Sequence, residues 1–166
     1  MRFLSPAILA GAAIVVLACG LSGCASAATA DMNAGDCLKI GGTPEHPDAT
    51  EAPCGSKASN YKVVSTVDNS DLCPPDVDSY YTLSSPFSTQ SQTVCMDVDW
   101  VVGGCMSIDP DHTLDPVRVD CGDAGASNRQ RATQILSGVA DVDQCGTGIG
   151  YAYSEREFTV CVEDLS

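Results

Sequence analysis

The chain has 166 residues, enough for one domain of ordinary size or two very small ones. It carries 22 acidic and 8 basic residues, a net charge of -14, which excludes nucleic acid as a partner because nothing would neutralise the phosphates. With 44% apolar and 18% charged residues it is not a disordered polyelectrolyte, and its ten cysteines indicate an exported, disulfide-stapled protein.

Residues 1–23 read as a secretory signal. Arg2 precedes an apolar run from Phe3 to Leu21, long enough to suggest a membrane span if the flank did not argue otherwise. Leu21-Ser22-Gly23-Cys24 has the Leu-small-small-Cys form of a bacterial lipobox. Small residues admit the signal peptidase to the backbone, and the Cys24 thiol takes the diacylglycerol. Val16-Leu17-Ala18-Cys19 has the same outline after a shorter apolar run. Two acyl chains suffice for stable attachment. The expected membrane contact is therefore a lipid anchor at Cys24, and the expected location is the outer face of the cytoplasmic membrane. Residues 24–34 read as the lipidated cysteine and a flexible, small-residue tether.

The remaining cysteines are Cys37, Cys54, Cys73, Cys95, Cys105, Cys121, Cys145 and Cys161. They divide into two sets of four with matching neighbours. Gly35-Asp36-Cys37-Leu38 matches Gly103-Gly104-Cys105-Met106, Cys54-Gly55 matches Cys121-Gly122, and Thr93-Val94-Cys95 matches Thr159-Val160-Cys161. The run Val63 to Cys73 lies without a gap on Ile135 to Cys145. The chain thus reads as a tandem duplication of two β-rich halves of about 60 residues, 35–102 and 103–166, sharing one compact, mainly β domain with room for a little helix. Eight cysteines allow roughly a hundred pairings. Closing each copy on itself, first to second and third to fourth, selects Cys37–Cys54, Cys73–Cys95, Cys105–Cys121 and Cys145–Cys161. Each bridge would stabilise a small half by about 3 kcal/mol.

Strand signals run through both copies. Val94, Met96, Val98, Trp100 and Val102 alternate with Cys95, Asp97, Asp99 and Val101, and Val160 and Val162 alternate with Cys161 and Glu163. Ser127 to Leu136 is the one helical candidate, a short helix or turn leading into a strand. Stretches 41–53, 68–79 and 84–92 read as loops rich in Pro, Gly, Asp and Ser. Only Gly103-Gly104 separates the last strand of the first copy from the first strand of the second, so the copies should share a seam.

Catalytic sets are absent. There is no Cys-x-x-Cys, hence no thioredoxin-like or zinc-knuckle signal. Ser59-Asn60-Tyr61-Lys62 matches Ser-x-x-Lys without its partner motifs. His46 and His112 sit in polar stretches that read as exposed loops. Asp109-Pro110-Asp111 with Asp115 is a sparse version of a calcium loop and reads as a solvated acidic loop, and Asp97/Asp99 and Asp141/Asp143 read as solvent-facing residues. No catalytic residue, metal or cofactor is expected beyond the lipid on Cys24. The candidates for recognition are the aromatics Tyr80, Tyr81, Trp100, Tyr151 and Tyr153, which beside acids could stack on sugars or receive basic peptides.

The lipobox, Gly35-Asp36-Cys37-Leu38, Pro53-Cys54 and the Cys73-Pro74 loop resemble the LppU-type lipoproteins of mycobacteria and related actinobacteria. Gly-Asp-Cys-Leu followed by Pro-Cys also resembles a small extracytoplasmic module of actinobacterial envelope proteins, some labelled septum-formation domains. That module follows its second cysteine with Pro-His, where this chain has Ser56-Lys57-Ala58 and Asp123-Ala124-Gly125. The resemblance implies an envelope location and names no catalytic residue. The expected function is a non-catalytic interaction module with an envelope protein or polymer as partner. The alternative is a carrier of a lipid or other hydrophobic ligand, and a hydrolase comes third.

Overall fold

The computed structural model describes residues 32–43, 46–84 and 91–165. The first half contributes strands β1 (Cys37–Thr43), β2 (His46–Glu51), β3 (Tyr61–Val67), β4 (Ser79–Ser84) and β5 (Ser91–Val98). The second contributes β6 (Cys105–Ser107), β7 (Val117–Val119), β8 (Arg129–Ser137), β9 (Gly150–Tyr153) and β10 (Phe158–Leu165). Each half makes a five-stranded antiparallel sheet, ordered β2-β1-β3-β5-β4 in one and β7-β6-β8-β10-β9 in the other. Advancing every strand by five converts the first order into the second, so the duplication seen in the cysteines is a duplication of topology.

The match extends to register. Leu38 faces Tyr61 where Met106 faces Gln130. Both central strands carry a bulge at the same place: Val64 in β3 and Thr133 in β8 oppose no residue of the neighbouring strand. A one-turn 3-10 helix follows each, Ser70–Leu72 capped by Asn69 and Val142–Gln144 capped by Asp141. The cap side chain accepts from Asp71 N at 3.1 Å in one copy and from Asp143 N at 2.9 Å in the other.

The ungapped alignment of Val63–Cys73 on Ile135–Cys145 is corrected by this register. Thr66 opposes Val94 as Ile135 opposes Val160, so Ile135 is the counterpart of Thr66 and not of Val63. One residue, Asp68, separates Val67 from the Asn69 cap, whereas 137–140 separate Leu136 from the Asp141 cap. The second copy therefore carries three extra residues in this turn, which includes Gly138 at φ +72°. Other expectations also shift. Within 41–53, residues 41–43 end β1 and 46–51 form β2, which pairs antiparallel with it, and His46 is the first residue of β2. Arg129 onward is strand, so of the readings for Ser127–Leu136 the turn into a strand holds and the helix does not. Residues 32–34 belong to the fold and not to a free tether, since Met32 is buried and its carbonyl accepts from Thr66 Oγ1 at 2.9 Å.

Strands β5 and β10 each bury four successive residues, Thr93-Val94-Cys95-Met96 and Thr159-Val160-Cys161-Val162. Side chains alternate along a strand, so such a run is covered on both faces. Hydrophobic core covers one face and a disulfide the other. The four bridges join Cys37–Cys54, Cys73–Cys95, Cys105–Cys121 and Cys145–Cys161, all within a half, with the pairing expected from the spacing. The first core gathers Met32, Leu38, Ile40, Tyr61, Val63, Val94 and Met96. The second is smaller, around Ala132, Tyr153, Val160 and Val162, and Trp100 from the first copy packs against it.

Candidate functional site

The two halves meet along a seam built from charged residues. Asp99 follows β5 and is only 4% exposed. Its Oδ2 accepts from Gly55 N at 2.6 Å, Ser59 Oγ at 2.6 Å and Arg118 at 3.0 Å. Arg118, on β7 of the second half, also donates to the Asp99 carbonyl and to Ser59 O at 3.3 Å. Burying this pair costs desolvation that only a full set of hydrogen bonds offsets, and Asp99 has three donors on its carboxylate.

Arg156 forms a second clamp. It lies in the turn between β9 and β10, where Glu157 at φ +52° reverses the chain. Its guanidinium engages both carboxylate oxygens of Asp97, Asp76 Oδ1 at 3.0 Å and the Asp76 carbonyl at 2.8 Å. It also lies over the rings of Tyr153 and Phe158, with centroids at 5.0 and 5.3 Å. Burial pushes the Asp97 carboxyl above its usual range, against the pull of Arg156. Asp78 keeps part of its surface in solvent, but its Oδ2 is enclosed by Val98 N at 2.7 Å and the Tyr153 hydroxyl at 2.8 Å. That enclosure pushes its carboxyl upward too, although both hydrogen bonds oppose the shift. Asp97 and Asp99, read from alternation as solvent-facing, are thus corrected: the second half covers them.

At the seam, residues of both halves line a cleft of about 190 Å³. Trp100 and Tyr151 stack along it, ring centroids 5.5 Å apart. Tyr61 enters from β3 and donates to Asp115 Oδ1 at 3.1 Å, and Asp78 and Leu114 complete the part that matters chemically. Burial, then the charge of Asp115, holds the Tyr61 phenol well above its ordinary value, and burial, then the charge of Asp78, raises the Tyr151 phenol. Ser79 and His112 also line this cleft. His112 is exposed at φ +52°. Asp109 is taken up by its own turn, accepting from Thr113 N and Oγ1 at 2.8 and 2.7 Å and from Leu114 N at 3.2 Å.

The five aromatics singled out from sequence separate. Trp100 and Tyr151 come together at the seam. Tyr153 is buried beneath, stacked on Phe158 at 4.2 Å. Tyr81 packs on the first core, and Tyr80 is 56% exposed on the edge strand β4. Neither of the last two lines the cleft. Sequence reasoning missed Tyr61, Asp78, Arg118 and Arg156. The available signal was the scarcity of bases: with 8 against 22 acids, an arginine next to aromatics is a candidate for an interior ion pair. Cys24, the signal 1–23 and most of the tether lie outside the described residues. Among the described residues no helix is long and apolar enough to cross a membrane, and no group of three or more metal-ligating side chains converges. No family model, curated protein or solved structure matches the chain.

Proposed function

We propose that the chain is a cell-envelope lipoprotein, anchored through Cys24 at the outer face of the cytoplasmic membrane, that acts as a non-catalytic interaction module. The observation that carries this reading is the aromatic cleft at the seam, where Trp100 and Tyr151 meet only because the two halves are clamped together. Clamps of buried, hydrogen-bonded charge hold such a surface in one shape, which lowers the ordering cost of binding. Since Met32 already belongs to the fold, the segment 25–31 keeps the module within about 25 Å of the lipid.

Photocrosslinking on intact cells tests this. A photoreactive residue at Leu114, which is 72% exposed beside the cleft, should capture a defined envelope partner. The same residue at Leu72, 58% exposed and away from the cleft, should not. A Cys24→Ala variant should lose both membrane retention and capture. Equal labelling from Leu114 and Leu72 would overturn the reading.

A further inference from the structure

We infer that the seam cleft receives the primary ammonium of a lysine side chain presented by a protein partner. This rests on the recognition reading above and names its chemistry. The cleft is a cavity with an aromatic wall whose lining holds no lysine or arginine and one histidine, His112, while Asp78, Asp109 and Asp115 all border it. At about 190 Å³ it suits one side chain more than a drug-sized ligand. Its apolar surfaces, Trp100, Leu114 and Val98, would take the methylenes, and the stacked rings offer a face to the cation.

The hydrogen bonding already present selects among cations. Asp78 uses Oδ2 for Val98 and Tyr153, and Asp115 uses Oδ1 for Tyr61. Each carboxylate therefore offers one oxygen, Asp78 Oδ1 or Asp115 Oδ2. Single acceptors on separate residues suit the rotatable donors of an ammonium, whereas a guanidinium wants both oxygens of one carboxylate. The chain shows the contrast itself, since Arg156 takes both oxygens of Asp97. Burial first, and then the charges of Asp115 and Asp78, raise the phenols of Tyr61 and Tyr151 that border the cleft.

Trp100 is the chain's one tryptophan, so its fluorescence reports the cleft directly. The purified lipoprotein in detergent would be titrated with N-acetyl-lysine methylamide, with the norleucine and arginine analogues alongside. Saturable change with the lysine probe is expected, weakened by salt, with none from norleucine and weaker binding of arginine. Asp115→Asn, which keeps an acceptor for Tyr61, should weaken lysine binding about tenfold, the value of one charge-assisted hydrogen bond. Tyr80→Ala should leave it unchanged. A norleucine response equal to that of lysine, or no saturable response to lysine in folded protein, overturns the inference. If the lysine probe fails while Leu114 still captures a partner, the chemistry falls and the recognition reading stands.

Discussion

Arg156 of the second half holds Asp97 of the first in a two-pronged ion pair. Glu163, the counterpart of Asp97, stays within its own sheet and pairs with its cross-strand neighbour Arg131. Lys62 faces Asp97 across the strands as Arg131 faces Glu163, yet Asp97 is drawn away to the seam. The same strand position therefore serves local stability in one copy and docking of the halves in the other.

The two pairs should differ sharply on mutation. Arg156→Ala strands Asp97 and Asp76 beneath the turn, with side chains 14% and 9% exposed, and should cost about 3 kcal/mol in urea unfolding. Arg156→Lys should recover little of it, lacking the planar fork. Arg131→Ala, at a pair 44% and 30% exposed, should cost under about 1 kcal/mol.

The buried pair Asp99–Arg118 should show strong coupling. Either single replacement, Asp99→Leu or Arg118→Met, leaves an uncompensated charge at side chains 5% and 8% exposed and should cost about 3 to 5 kcal/mol. The double variant should be more stable than either, a positive coupling readable in a thermodynamic cycle.

Stability should depend on pH from both ends. The folded carboxyls of Asp78 and Asp97 lie above their unfolded values, so the folded state binds their protons more tightly. That contribution is complete below the unfolded value of about 4 and is lost as pH rises through the folded values. The urea midpoint should therefore rise as pH falls through those folded values toward about 4, and Asp78→Asn should flatten the slope. Tyr61 and Tyr153 also have raised folded values, so the unfolded state ionises first and stability should fall above about pH 10. Tyr153→Phe should blunt that fall.

Gly150 and Tyr80 occupy matching positions, opposite Cys161 and Cys95 respectively. A Cβ at Gly150 would stand 2.5 Å from the Val160 carbonyl and 3.2 Å from Cys145 Sγ. Gly150→Ala should destabilise by about 1 to 3 kcal/mol through overpacking at the bridge. Tyr80→Ala, at an exposed site, should stay within about 0.5 kcal/mol.

Sequence by itself determined what is local. Strand content follows from alternation, and the bridges follow from short loops within each copy, because both involve neighbours along the chain. The repeated flanks of the cysteines reveal the duplication for the same reason. The lipid anchor and envelope role, by contrast, are proposals from linear motifs, and Cys24→Ala tests them. Alternation reports which face a strand turns to its own core. It is silent about what covers the other face, so Asp97 and Asp99 read as solvated while a second half lies over them. Only tertiary structure decided the seam. Its contacts join residues as distant in sequence as Asp78 and Tyr153, or Asp76 and Arg156. No short-range pattern records such pairs, since they arise from docking two already folded sheets.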